Sequence, residues 1–510
     1  MPQLDMSARV LMTCMRSALA ALAVFLGLLA LPTGAGASSS QFSMLQDDAV
    51  FLGLTEEDPN AALAEAKALG VDYVRVFVGW QRVSPAPKSR RMPGGFEVGD
   101  PDSPGYDWAR YDDFVERARA NGLKVFLTLS PAIPYWASEE PRRCPHFVGG
   151  YRKLGKSCYW KPRPRLFGQF AKAVALRYGG RVSLWSIWNE PNLEHYLYPQ
   201  VKQTRFGKVD VAAKRYRRLW IEGHRAIARY DPVRRNKVLF GETAAISSPM
   251  DTLFAALCLD ETGKPFRGEL RALHGCTRPG RLPIGGIAHH PYNRLARGSV
   301  FTRSFTQDSL AIAYIGRLGR LMDTAARMGR IPPGRGIFMT EFGFQTNPPD
   351  RKRGISLRRH AAGINEADRL YYADPRVKAT SQFELRDVPE GRNDDVYNTG
   401  LRFLSGRRKP AWRAFRMPIV VTKLSRDRVE VWGHVRPAEA HARARVHVIR
   451  SGRPDAEVAA PVTNRAGFFK IVLRGPNASK LRYRMEWTDL AGKVLRSRVA
   501  TAGRRIRYFD

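Results

Sequence analysis

The chain has 510 residues, 44% of them hydrophobic, and a formal net charge of +37. That length and apolar content allow one large domain plus a small one and exclude a chain disordered throughout. The 84 lysines and arginines against 47 acids are spread along the sequence, with no basic run interleaved with aromatics, which excludes the usual nucleic-acid modules and leaves a solvated basic surface or attraction to an anionic polymer, such as one of a cell wall.

The N-terminus reads as an export signal. Arg9 and Arg16 precede an apolar run over residues 17–31, and Ala35-Gly36-Ala37 gives the small-x-small cleavage pattern. The run is short for a membrane span. Residues 1–37 are therefore expected to be a signal peptide, and a secreted monomer is expected, its basic surface suited to association with an anionic cell wall. Of the five cysteines, Cys14 falls in this signal. The other four allow three pairings, and their spacing favours Cys144–Cys158 and Cys258–Cys276. Short C-x-x-C spacing, which a zinc site wants, is absent.

From there apolar strand-like runs alternate with helical periodicity. Val50-Phe51-Leu52-Gly53-Leu54 is the first apolar run, and Leu63, Ala66 and Leu69 mark a helix stopped by Gly70. Tyr73 to Val78 is a second strand. Tyr111, Phe114, Val115 and Ala118 mark the next helix, before the strand Val125 to Leu129. Helices are expected at about 165–178, 212–229, 250–258, 308–328, 357–371 and 410–416. Strands are expected at about 182–189, 237–241, 284–289, 336–341 and 378–385. Eight strand–helix units are the count of a (β/α)8 TIM barrel, whose reactive side chains sit at the C-terminal strand ends. No glycine-rich phosphate loop supports an open doubly wound sheet instead. Past Met417 helical periodicity stops and short alternating runs take over, predicting a β-sandwich over 417–510 beside a barrel over 38–416.

Two strand ends carry chemistry. Glu190 closes Trp185-Ser186-Ile187-Trp188-Asn189-Glu190, and Glu341 closes Ile337-Phe338-Met339-Thr340-Glu341. Hydrolysis of a glycosidic bond needs one carboxyl that holds a proton and a second that stays ionised. Glu242, after Gly241, is a third carboxyl near the same rim, suited to orienting substrate, tuning Glu190, or pairing with an arginine. Trp80, Tyr135, Trp136 and Trp160 lie in loops after strands two and three, where aromatic faces stack on sugars or fill loop cores. No metal cluster or nucleotide loop is present, so no cofactor and no metal are expected.

The motifs Trp188-Asn189-Glu190-Pro191 and Thr340-Glu341-Phe342-Gly343 resemble those of clan A glycoside hydrolases, the 4/7 superfamily of (β/α)8 barrels, over about residues 45–416. Ala288-His289-His290-Pro291-Tyr292 and Gly241-Glu242 make the chain more similar to a secreted actinobacterial branch related to the family 5 and family 39 enzymes. The resemblance implies a hydrolase that retains configuration and acts on a polysaccharide or glycoconjugate, with Glu190 as acid/base and Glu341 as nucleophile. It further implies Arg75 beside the nucleophile, Asn189 on the sugar 2-hydroxyl, and His290 and Tyr292 against the nucleophile or the sugar. One departure is the strand-eight run Ser381 to Asp387, which lacks a tryptophan and offers Gln382, Arg386 or Asp387 to the site. The competing reading is a non-catalytic carbohydrate- or polyanion-binding surface protein on the same barrel.

Overall fold

The computed structural model describes residues 31–32, 41–145, 157–293, 300, 309–389, 398–436, 441–506 and 508. Apart from Leu31–Pro32, the expected signal peptide lies outside the described residues. The chain divides into two compact units, one over 40–412 with 507–510, the other over 1–39 with 413–506.

The first unit is built on eight parallel strands: β1 Phe42–Gln46, β2 Tyr73–Gly79, β3 Lys124–Ser130, β4 Leu184–Ile187, β5 Lys237–Ala244, β6 Gly286–His290, β7 Gly336–Met339 and β8 Val377–Phe383. Each pairs with the next, and β8 pairs with β1, closing the barrel. A helix follows each strand: α1 Pro59–Ala68, α2 Ala109–Ala120, α3 Pro164–Tyr178, α4 Val211–Tyr230, α5 Pro249–Ala256, α6 Ile315–Arg327, α7 Leu357–Tyr372 and α8 Pro410–Arg416. This is the architecture of a (β/α)8 TIM barrel.

Local chemistry explains the element starts. Asp58 accepts hydrogen bonds from the Asn60 and Ala61 amides, and Pro59 opens α1. Asp210 and Ser356 cap α4 and α7 in the same way. Gly223 lets α4 sit close on β4, because a Cβ there would meet Ile187 Cδ1 at 2.8 Å.

The first strand differs from expectation. Asp48–Phe51 is one helical turn, since Asp47 accepts from the Val50 amide and caps it. The barrel strand is the less apolar Phe42–Gln46 just before it.

Period-two alternation fills the barrel in layers. Met44, Phe126, Leu184, Leu239, Ala288, Phe338 and Ala379 form one buried apolar cluster. Two residues further along the strands the same face carries Gln46, Thr128, Ser186, His290 and Ser381, all buried. Arg75 joins this polar layer from β2, two residues after Tyr73, which packs on the apolar one.

In the second unit, strands β9 Ile419–Lys423, β10 Arg428–His434 and β13 Phe468–Arg474 form one antiparallel sheet, which Leu31–Pro32 extends by pairing with Ile471 and Val472. Strands β11 Arg445–Ile449, β12 Ala456–Ala459, β14 Arg482–Thr488, β15 Val494–Arg496 and β16 Ala500–Thr501 form another. Val421, Val431 and Ile471 of the first sheet share one hydrophobic cluster with Val446, Tyr483 and Met485 of the second.

Both expected cysteine pairs form disulfides, Cys144–Cys158 and Cys258–Cys276.

Candidate active site

Five side chains meet at the C-terminal end of the barrel: Arg75 from β2, Glu190 just past β4, Glu242 in β5, His290 ending β6 and Glu341 just past β7. The backbone is bent to bring them there. Trp188, Glu190 and Glu242 all have positive φ, 72°, 42° and 48°, a conformation costly for residues with a Cβ and concentrated at functional sites. Glu242 is the extra residue of a bulge, because Gly241 pairs with Ala288 while Thr243 already pairs with His289. The bulge turns its carboxylate inward.

Arg75 has no solvent exposure. Its guanidinium donates to Glu341 Oε1 at 2.8 Å and to Glu242 Oε2 at 2.9 Å. Its Nε donates to Thr128 Oγ1 at 3.0 Å, and the Gln46 amide oxygen accepts from Nη1. A guanidinium this deep is tolerable only because each face of its fork meets an acceptor.

Glu242 is also fully buried and is held by Arg75, by His290 Nε2 at 2.7 Å and by Thr340 Oγ1 at 2.8 Å. Burial alone would raise its pKa, but Arg75 and His290 overcome that and hold it at about 2. It is therefore ionised, an anchor for the two cations through Oε2 and without exposed surface, while its Oε1 has no hydrogen-bond partner among the described residues.

His290 bridges carboxylates. Nδ1 lies 2.9 Å from Glu190 Oε1 and 3.6 Å from Glu341 Oε2, while Nε2 is on Glu242. Burial works against its charged form, yet Glu341, Glu190 and Glu242 together raise it to about 10. With an acceptor at each ring nitrogen, His290 is an imidazolium. His289 behaves oppositely. It lies between Thr243 Oγ1 at 2.9 Å and the Leu310 carbonyl at 2.7 Å, and burial depresses it to about 3. It is a neutral structural histidine.

Glu190 and Glu341 keep small exposed areas, 13% and 8% of their side chains. One oxygen of each carboxyl and a ring nitrogen of His290 lie within 4.8 Å of one another. Burial pushes the Glu341 carboxyl up; His290 and Arg75 pull against this, and Glu190 adds to the push. The Tyr292 hydroxyl also donates to Glu341 Oε2, at 3.3 Å. The trio could ligate a metal ion, but the fit is poor, since an added cation would sit beside the Arg75 guanidinium and compete with the His290 proton.

Asn189 is 5% exposed, and its Oδ1 has no hydrogen-bond partner among the described residues. A buried acceptor without a partner, one residue before Glu190, is a candidate to meet a ligand hydroxyl.

The structure thus brings together Arg75, Glu190, Glu242, His290, Tyr292 and Glu341, holds Asn189 next to Glu190 in the chain, and leaves Trp80 out. The Trp80 ring is fully buried and packs on Phe170 at 5.3 Å, Phe167 at 5.7 Å and Trp136 at 6.1 Å. It belongs to the layer between barrel and α3, where no sugar reaches it.

The strand-eight alternatives are also tied elsewhere. The Gln382 amide donates to the Thr399 carbonyl, Arg386 pairs with Glu57, and Asp387 pairs with Lys409. Phe383 and Glu384 face open space instead. They border a cavity of about 750 Å³ shared with Asp47, Asp48, Arg82 and Lys88. Phe383 is T-shaped to Tyr292 at 6.3 Å and Tyr292 bonds Glu341, although none of the clustered side chains lines this cavity. Glu384 is 7% exposed with φ of 69°, and burial raises its carboxyl well above the usual range.

Gln46, Thr128, Thr340 and Glu384 are absent from the sequence-based expectation. The first three had a signal: each lies two residues beyond an inward apolar residue of its strand. Glu384 had none, because its direction depends on a backbone turn.

No family model matches the chain. A chloroplastic β-glucosidase-like SFR2 from Oryza sativa subsp. japonica is 28% identical over 137 residues, which are 27% of this chain. The match spans only 18% of that relative's length. A family 39 glycoside hydrolase from Bacteroides cellulosilyticus WH2 is similar over 86% of this chain and 81% of its own, with 14% identity and a TM-score of 0.48. A hyperthermophilic β-glucosidase from Pyrococcus furiosus is similar over 76% and 95%, with 14% identity and a TM-score of 0.41. Likenesses this distant leave the chemistry of the site to its own residues.

Proposed function

We propose that this protein is a retaining glycoside hydrolase in which Glu190 is the acid/base and Glu341 the nucleophile. One observation carries the reading: two carboxyl groups with oxygens inside 4.8 Å of one another sit at the open end of the barrel, between two buried cations. Carboxyls about 5–5.5 Å apart suit attack by one of them; inversion needs about 6.5–9.5 Å to seat a water.

Charge agrees with the proton count. Arg75 and His290 contribute two positive charges and Glu242 one negative. Double displacement needs one proton between Glu190 and Glu341, and the one negative charge this leaves on the pair neutralises those three. Two like charges at this distance do not both ionise readily. Burial raises the Glu341 carboxyl overall, and the direct bond from Arg75 opposes this and favours the carboxylate a nucleophile needs, so the acid/base role falls to Glu190.

The chemistry then balances in two steps. Glu190 gives its proton to the glycosidic oxygen while Glu341 attacks the anomeric carbon, the bond to the leaving group breaks, and a glycosyl ester forms on Glu341. Glu190, now a carboxylate, takes a proton from water as that water attacks the same carbon and frees Glu341. Asn189 Oδ1 accepts from the sugar 2-hydroxyl, and Tyr292 steadies the Glu341 oxygen that does not face Arg75. Arg75, His290 and Glu242 position the pair without touching substrate.

The further reading is of a secreted enzyme on a polysaccharide or glycoconjugate. The two disulfides fit an oxidising compartment, and among the described residues no helix is long and apolar enough to cross a membrane. The two sheets sharing one core support a sandwich as the second unit.

The test is turnover of a panel of aryl glycosides and polysaccharides, with product configuration followed by proton NMR. Hydrolysis with retained configuration, lost in Glu190→Gln and Glu341→Gln, is expected. Inverted product, or full activity in either variant, rejects the assignment.

A further inference from the structure

On the outer side of the barrel, away from the five clustered side chains, α4 and the segment closed by the Cys258–Cys276 disulfide border a second cavity of about 750 Å³. Nine of its lining residues are lysine or arginine and none is aspartate or glutamate. Lys214, Arg217, Arg218, Arg225 and Arg229 all come from α4. Arg278 and Arg281 face them from the loop after the disulfide.

With 84 lysines and arginines against 47 acids, many cations of this chain have no acid to pair with, but here they are gathered around one cavity. Some arginines elsewhere find acids: Arg177 with Asp112, Arg215 with Glu139, Arg359 with Glu366, Arg402 with Glu57. In the cavity only Arg225 does, with Glu222 at 3.0 Å. Among the described residues, Arg218, Arg229, Arg278, Arg281 and Arg330 make no ion pair.

Two of the cations are also partly withdrawn from water. Arg217 is 8% exposed, and its guanidinium is fixed by the His274 and Gly275 carbonyls, both at 2.8 Å, and by the two disulfide sulfurs. Burial, with Arg218 beside it, lowers its pKa to about 10. Arg330 donates from Nη1 to the Pro279 carbonyl at 3.3 Å, while its Nε is buried without a hydrogen-bond partner. Like charges spaced along one helix face repel. A buried donor without an acceptor is a further cost. An anion in the cavity would relieve both.

We propose that this cavity is a binding site for a multiply charged oxyanion chain, its phosphate or carboxylate groups gripped by Arg218, Arg278, Arg281 and Arg330. Arginine forks match the planar or tetrahedral oxygens of such groups and bind them in pairs. The volume admits several charged groups at once. The site shares no residue with the glutamate cluster and does not depend on its activity.

The experiment is calorimetric titration of the full chain, at low salt, with inorganic tripolyphosphate, with trigalacturonate and with a neutral trisaccharide. Saturable one-to-one binding of at least one anion is expected, and the tighter of the two names the oxyanion. Arg218→Glu, Arg278→Glu and Arg281→Glu are combined in one variant. The control combines Arg119→Glu, Arg320→Glu and Arg358→Glu, which are exposed elsewhere on the barrel unit and change net charge equally. Affinity should fall about tenfold or more in the cavity variant and little in the control. Should the triple variant fail to fold, Arg278→Ala with Arg281→Ala, both on the loop, must show the same ordering. Equal losses in both sets, or no saturable binding by the wild type, overturn the proposal.

Discussion

The Arg75 guanidinium lies 2.8 Å from the Glu341 carboxylate, the arginine wholly buried and the glutamate nearly so. A second arm of the same guanidinium holds Glu242. One residue on β2 therefore ties together the ends of β5 and β7 and sets the charge around the proposed nucleophile. Replacing Arg75 by methionine leaves two buried carboxylates without their cation. Breaking a buried pair in this way costs about 3–5 kcal/mol. Denaturant unfolding should show a loss of that order, and a change below about 1 kcal/mol would mean that the cluster relaxes into water.

The two proposed catalytic glutamates should respond alike in fold and similarly in rate. Glu190→Gln and Glu341→Gln keep the shape of the side chain and remove its acid–base or nucleophilic capacity. Loss of an acid/base group lowers turnover by about 100- to 10,000-fold, and unfolding midpoints should stay near that of the wild type. For Glu190→Gln, a substrate with a good leaving group, which needs little protonation, should recover much of the first step. Equal loss on activated and unactivated substrates would argue against Glu190 as the acid.

Stability should depend on pH from both sides of the cluster. Glu242 is held at about 2, below its ordinary 4.5, so its contribution is complete above pH 4.5 and is lost as pH falls towards 2. His290 is raised to about 10 from 6.5, so its contribution is complete below pH 6.5 and is lost as pH rises through 10. Together they are greatest between pH 4.5 and 6.5. Denaturation midpoints across pH should flatten on the acid side in Glu242→Gln and on the alkaline side in His290→Gln. Unchanged limbs in these variants would assign the pH dependence to other groups.

Trp80 should matter to packing and not to substrate. Its ring fills the space against Phe167 and Phe170, so Trp80→Ala should cost about 3–5 kcal/mol. The KM of the folded variant should stay close to that of the wild type. A large rise in KM with little change in stability would return Trp80 to the substrate cleft.

Much of this was legible in the chain. Hydrophobic periodicity marks the helices and seven of the barrel strands, because burial on one face imposes a period that any observer of the sequence can count. Glu190 and Glu341 stand out because a charged residue closing a buried apolar run has nowhere to point but the strand end. Val50 to Leu54 misleads for the same reason in reverse, being apolar enough for a strand but capped by Asp47 into a helical turn.

The tertiary structure alone decided how the charged side chains share their partners. Glu242 and Glu190 look alike in sequence, yet a one-residue bulge sends Glu242 to Arg75 and His290 in the interior while Glu190 keeps an exposed edge. His289 and His290 are neighbours with opposite charge states, because alternate residues of a strand face opposite sides and one side is lined by carboxylates. The arginines of α4 and the loop after Cys276 are scattered in the sequence, and only the fold sets them around one cavity without acids. Periodicity is a local property of the chain, whereas electrostatic pairing depends on distances of a few ångströms between residues far apart in it.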